Sequence, residues 1–143
     1  MPALTQSTTA VQDYLEQIHK LIEEKGYARA VDIAAALAIS QASVSAMIQR
    51  LDAEGFVLYE KYRGLVLTDK GRQIAREIAQ RHDVLTRLLR RFGIDEDTIY
   101  DDVEGMEHHI SPKTLRVLTQ LTEELENNPE LVRRLKRRLD AGG

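Results

Sequence analysis

The chain contains no cysteine and no tryptophan, and only two phenylalanines and three prolines. Without cysteine there are no disulfides, thiolate nucleophiles, zinc fingers or iron–sulfur clusters, although cysteine usage alone leaves the compartment open. Aromatics at 5% leave a core built mostly from aliphatic side chains. No run of about 18 apolar residues occurs, so no membrane-spanning helix is expected. The first ten residues (MPALTQSTTA) hold neither a basic stretch nor an apolar h-region, so no signal peptide is expected and the cytoplasm is the default location. HExxH, phosphate-loop and nucleophile-elbow motifs are all missing. Di-iron oxidases need two Glu-x-x-His motifs in a four-helix core, and only the stretch from Glu104 to His108 comes near one. The chain is therefore not expected to be an enzyme. A basic excess is also lacking: 20 Lys and Arg stand against 23 Asp and Glu, a net charge of −3, which weighs against a polyanionic ligand until charge is counted by segment.

The 143 residues suit one domain or two small ones. Counted locally, the charge is segregated. Residues 28–72 carry six basic residues (Arg29, Arg50, Lys61, Arg63, Lys70, Arg72) against five acids, residues 95–107 hold seven acids and no Lys or Arg, and residues 131–139 hold five basic residues and no acid. The total charge thus says little about any one face.

Helical periodicity begins with Val11, Tyr14, Leu15, Ile18, Leu21 and Ile22, an apolar stripe at i, i+3, i+4, i+7 spacing. Thr9 and Gln12 fit a capping box at its start, and Gly26 a stop signal. A short Ala-rich helix follows over residues 31–37, then a joint Ala38-Ile39-Ser40, with Ser40 as N-cap of a third helix that buries Val44, Met47, Ile48 and Leu51 and ends at Gly55. That succession is the helix-turn-helix arrangement. The period then changes to about two over residues 56–60 and 65–68, joined by Lys61-Tyr62-Arg63-Gly64: a hairpin wing. Residues 69–92 form a helix of about 36 Å at 1.5 Å per residue, and residues 95–110 a helix bearing the acidic run. Ser111-Pro112 and Asn128-Pro129 open two more, and residues 141–143 read as a frayed end. The expected fold is mainly α: a winged helix-turn-helix over residues 1–72, then a linker helix and an all-helical domain over residues 73–143.

Three groups of polar side chains carry possible chemistry. Asp13 and Glu16 share a helix face, His82 follows Arg81 on the long helix, and Glu104, Glu107 and His108 stand at i, i+3, i+4. Singly, each is an ordinary surface or core feature. The last triple stands out because like charges so spaced repel unless something positive lies between them. Hard oxygen donors with some imidazole suit Mn²⁺ or Fe²⁺, and bridging carboxylates could hold two ions.

Over residues 14–110 the sequence resembles the manganese transport regulators, a branch of the diphtheria-toxin-repressor family of metal-activated bacterial repressors. The strings at 21–30 (LIEEKGYARA), 58–68 (LYEKYRGLVLT) and 99–110 (IYDDVEGMEHHI) carry the resemblance. It implies that Asp13, Glu16, His82, Glu104, Glu107 and His108 bind a pair of Mn²⁺ ions with a bridging carboxylate, and that the neighbouring His109 is not used. In the iron-type branch Met and Cys stand where Asp13 and Glu104 stand here, so manganese is favoured. Fe²⁺, Co²⁺, Zn²⁺ or Cd²⁺ could bind in vitro, Zn²⁺ and Co²⁺ without being the signal. No extra C-terminal domain like that of longer iron-type members is expected, which again resembles the manganese branch.

The implied function is a Mn²⁺-activated repressor that binds operator DNA as a homodimer and controls manganese uptake. It has no membrane partner and no organic substrate. The third helix would enter the major groove with its residues off the apolar stripe, Gln41, Ala42, Ser43, Ser45, Ala46 and Gln49. Arg50, Lys61 and Arg63 would contact phosphates or the minor groove. Family relatives carry Lys where Ala46 stands, so the operator read differs or phosphate contact is thinner. Leucines of residues 111–125, with Ile94, Val103, Met106 and Ile110, exceed what one helical layer buries and point to a dimer face. The basic helix at 131–139 could touch DNA, but is rather expected to be a solvated face paired with Glu123, Glu124 and Glu126. Metal is expected to be the switch that clamps the DNA-binding half to the dimer half. The alternatives are an iron-responsive repressor of the same family and a metal-independent winged-helix regulator.

Overall fold

The computed structural model describes residues 8–142; the expectations for residues 1–7 and for Gly143 lie outside the described residues. Among the described residues the elements run α1 (Thr9–Lys25), α2 (Ala30–Leu37), α3 (Gln41–Ala53), β1 (Val57–Glu60), β2 (Gly64–Leu67), α4 (Asp69–Arg91), α5 (Glu96–Met106), α6 (Pro112–Glu126) and α7 (Pro129–Gly142). No single described helix is long and apolar enough to cross a membrane. Two compact units divide between Ala79 and Gln80, inside α4.

In the first unit α1 buries Val11, Tyr14, Leu15, Ile18 and Leu21, the stripe its spacing dictates. Its cap is Thr8, whose hydroxyl accepts from the Val11 N–H at 3.2 Å, one residue before the expected Thr9–Gln12 box. Neighbouring threonines cap equally well, so the face that must turn inward decides between them; Gln12 is itself buried. Gly26, at φ 82°, closes the helix by donating to the Ile22 carbonyl at 2.8 Å. The chain turns through 112° between α2 and α3, inside the range of about 90–120° for a helix-turn-helix. Ala38 makes the corner in the left-handed region, φ 56°, which costs about 1–2 kcal/mol for a residue with a Cβ. Ser40 then caps α3 through the Ser43 N–H at 3.1 Å.

The wing pairs Val57 with Leu67, Leu58 with Val66, Tyr59 with Leu65 and Glu60 with Gly64, antiparallel, leaving Lys61, Tyr62 and Arg63 as its loop. Phe56 and Thr68, expected at strand ends, instead lock the wing to α4. The Thr68 N–H donates to the Phe56 carbonyl (3.0 Å), the Thr68 hydroxyl donates to the Gly55 carbonyl (2.6 Å), and the Gly71 N–H donates to the Thr68 hydroxyl (3.2 Å). One continuous core gathers Leu15, Ile18, Ile33, Val44, Leu51, Val57, Ile74 and Ile78.

The second unit is helical. Asp95 caps α5 through the Thr98 N–H, Ser111 caps α6 with Pro112 in its first turn, and Asn128 accepts from the Leu131 N–H before Pro129. Leu85, Ile99 and Val103 form its core, with Leu89, Ile110 and Leu118 packed on them. Two expectations fail here. α5 stops at Met106 rather than reaching residue 110, and Glu107–Ile110 has left the helix, with Glu107–His109 in a turn. α7 runs on through Ala141 and Gly142, where fraying was expected.

Candidate metal centre

In the first unit Asp13 and Glu16 lie three residues apart on α1, hence on one face. Asp13 is half-buried and Glu16 buried. A carboxylate at 3% exposure on an otherwise apolar stripe is costly unless its charge is met.

The second unit brings together His82, Glu107 and His108. Glu107 caps the C-terminus of α5 and is fully buried. His82, on α4, places Nδ1 3.0 Å from Glu107 Oε2. On the other side His108 Nε2 lies 3.7 Å from Glu107 Oε1, its side chain almost wholly buried. Glu104, one turn earlier and half-buried, offers a carboxylate oxygen within 4.8 Å of a His108 ring nitrogen. The two oxygens of Glu107 therefore face two different imidazoles, and Oε1 has no hydrogen-bond partner among the described residues. A divalent ion fits this donor set. Bonds of about 2.1 Å at right angles put neighbouring donors about 3.0 Å apart, and the His82–Glu107 spacing already matches that value.

His108 reaches this place from a turn and not from the helix face that the i, i+3, i+4 spacing suggested, because α5 has already ended. His109, which the resemblance set aside, is exposed. The acidic run divides by location. The Asp95 carboxyl is held below its ordinary range by the Thr98 N–H, and that of Glu96 by the Arg90 guanidinium, which grips it through two bonds of 2.7 and 2.9 Å. Asp97, Asp101 and Asp102 are solvated. Only Glu104 and Glu107 of the run turn toward the donors.

On α3, Gln41, Ala42, Ser43, Ser45, Ala46, Gln49 and Arg50 are all exposed, as are Lys61 and Arg63 on the wing. Arg50 is paired with Glu54 and Arg63 with Glu60, both at 3.1 Å. Part of the local basic count serves the fold: Lys70 donates to the Glu54 carbonyl (3.0 Å) and Arg72 to that of Leu67 (2.8 Å). The basic helix does not pair as expected. Glu126 is taken by Arg87 and Arg91 of α4, while Arg133 pairs with Glu130 one turn earlier on α7. The residue that sequence reasoning passed over is Arg81, 2% exposed, because nothing in a lone arginine's neighbours along the chain announces burial.

The family described as "Iron dependent repressor, N-terminal DNA binding domain" matches residues 6–65, and "Iron dependent repressor, metal binding and dimerisation domain" matches residues 68–139. The HTH-type transcriptional regulator MntR of Bacillus subtilis (strain 168) is 48% identical over 130 residues, 91% of this chain and 92% of its own. The regulator of the same name from Lysinibacillus sphaericus (strain C3-41) is 46% identical over 129 residues, 90% of this chain and 93% of its own. A solved structure described as "Structure of the manganese regulator SloR" superposes with a TM-score of 0.69 at 28% identity, over 79% of this chain. The chain spans about half the length of that structure, 53%. These relatives are named as regulators and not as enzymes. With both halves matched and relatives identical at nearly half of the aligned positions, the chain belongs to the iron dependent repressor family.

Proposed function

We propose that this chain is a Mn²⁺-activated transcriptional repressor, acting in the cytoplasm as a homodimer on operator DNA and controlling manganese uptake. The observation that carries the reading is the fully buried Glu107, each of whose oxygens faces a separate imidazole. Asp13, Glu16, His82, Glu104, Glu107 and His108 are the proposed ligands, enough for two ions per subunit with Glu107 between them. Asp13 and Glu16 belong to the unit that carries α3, and the other four donors to the unit that carries the exposed leucines, so ligation by all six would couple metal to DNA affinity. A bound ion would supply positive charge among carboxylates that otherwise repel. Hard carboxylates and imidazole, without thiolate or thioether, favour Mn²⁺ over softer ions, although Fe²⁺, Co²⁺, Zn²⁺ and Cd²⁺ would bind the same donors in vitro.

The DNA-binding role is assigned to residues 1–72 and the metal and dimer role to residues 73–143. Gln41 and Gln49 would offer bidentate amides to adenine, and Ala42, Ser43, Ser45 and Ala46 would touch thymine methyls. Arg50, Lys61 and Arg63 would hold phosphates. Val117 and Leu121, 66% and 47% exposed on α6, support a second copy as the cover of that face.

Operator affinity measured with and without Mn²⁺ at fixed salt tests the proposal. A coupling of about 1–3 kcal/mol gives roughly 5- to 150-fold tighter binding with metal, and unchanged affinity overturns it. Glu107→Ala is expected to abolish the response and leave salt-sensitive non-specific binding. A response to Fe²⁺ and not to Mn²⁺ would favour the iron-sensing alternative.

A further inference from the structure

Two neighbouring residues of α4 reach two ends of one short turn. His82 Nδ1 meets Glu107 Oε2 at 3.0 Å, and Arg81 Nε donates to the Ile110 carbonyl at 3.0 Å. Between those anchor points lie His108 and His109, in a segment that has left the helix. Inside the turn, the Glu107 and His109 N–H groups bond back to the Val103 and Met106 carbonyls. Those bonds continue α5 but do not attach the turn to α4.

The two attachments differ in what becomes of them on ligation. His82 and Glu107 are both proposed ligands; in their hydrogen bond Nδ1–H donates to the carboxylate oxygen, and a cation held between them would replace that proton, so this attachment would not survive ligation. The Arg81–Ile110 bond uses no ligand atom. A guanidinium stays charged throughout the accessible pH range, and at 2% exposure water cannot compete for this one. We propose that Arg81 is a positioning residue of the metal centre. Its bond to the Ile110 carbonyl holds the Glu107–Ile110 turn against α4, so that His108 and Glu107 stay at coordinating distance from the His82 side with or without metal. This inference rests on the metal-centre reading above. Partners that orient first ligands commonly contribute about 10- to 100-fold in metal affinity, and Arg81 would do so through the backbone of the ligand-bearing turn.

The test is Mn²⁺ titration of the full-length protein, following the electron paramagnetic resonance signal of free Mn²⁺, on wild type, Arg81→Met, Arg81→Lys and Glu107→Ala. Thermal melting of each in chelator runs alongside. Wild type is expected to bind, Glu107→Ala to lose binding, and Arg81→Met to bind about 10- to 100-fold more weakly, with Arg81→Lys recovering part of the loss. A residue that only supports the fold would lower the melting temperature in chelator and leave the affinity of the folded protein unchanged; that result overturns the proposal. Failure of wild type to bind Mn²⁺ overturns the metal-centre reading instead. Should both Arg81 variants fail to fold, the wild-type Arg81 Nε–H decides. Its nitrogen-15 resonance is expected to stay protected from solvent exchange in chelator and after loading with diamagnetic Zn²⁺. Fast exchange in either state refutes the tether.

Discussion

Replacing Gly71 with alanine tests the joint between the wing and α4. Gly71 sits in the first turn of α4, and a Cβ there would lie 2.2 Å from the Phe56 carbonyl oxygen, 3.1 Å from its carbon and 3.4 Å from Leu67 Cδ2. Carbon and carbonyl oxygen normally approach no closer than about 3.3 Å, so one of them must move by about 1 Å. The oxygen is backbone and is held by the Thr68 N–H at 3.0 Å. Overpacking of this kind costs about 1–3 kcal/mol, and weakening a hydrogen bond adds about 1 kcal/mol. Alanine's better helix propensity returns about 1 kcal/mol. The expected net loss is about 2 kcal/mol, a fall of roughly 8–16 °C in melting temperature for a unit of this size. Gly105→Ala on α5 is the control, because nothing lies within 4 Å of its added Cβ; it is expected to gain up to about 1 kcal/mol. Both are measured by circular dichroism melting in chelator, so that metal binding does not mask the difference. If Gly71→Ala melts at or above the wild-type temperature, the close approach of α4 to the wing is wrong.

Ser40→Ala removes the cap of α3 and is expected to cost about 1 kcal/mol, whereas Ser40→Gly costs only a few tenths; chemical denaturation of the two variants checks the order. The Asp95 carboxyl is depressed by the Thr98 N–H that it accepts. Its stabilisation is therefore complete above the unfolded value of about 3.9 and is lost as pH falls through the lower folded value. Asp95→Asn keeps a capping oxygen and removes that proton linkage, so its melting temperature in chelator should fall less steeply between pH 5 and 2.5; parallel curves would refute the assignment. Val117→Glu with Leu121→Glu places charge on the exposed face of α6 and is expected to shift the protein from dimer to monomer in sedimentation velocity, with the helical circular dichroism kept.

Much of the fold was readable because its signals are local. A cap acts on the N–H three residues on, which is why Ser40, Asp95, Ser111 and Asn128 stand where their helices begin. Apolar residues spaced at three and four place one stripe inward, and α1, α3 and α4 follow that spacing. The errors fell where a local signal was shared by equals or outvoted from a distance. Thr8 and Thr9 offer the same hydroxyl, and only packing chooses. Acidic and amphipathic spacing continues past Met106, yet α5 stops there and the chain turns. Glu126 carries the charge that α7 could have used, but Arg87 and Arg91 hold it.

The amino-acid sequence by itself determined the kinds of donor, the order of the helices and the winged module, because residue chemistry and spacing are properties of a chain. The tertiary structure alone decided that Glu107 is buried while Asp101 is solvated, and that Arg81 grips the Ile110 carbonyl 29 residues away. Those choices depend on distances between side chains far apart along the chain, and such distances exist only after the apolar faces have been packed against one another.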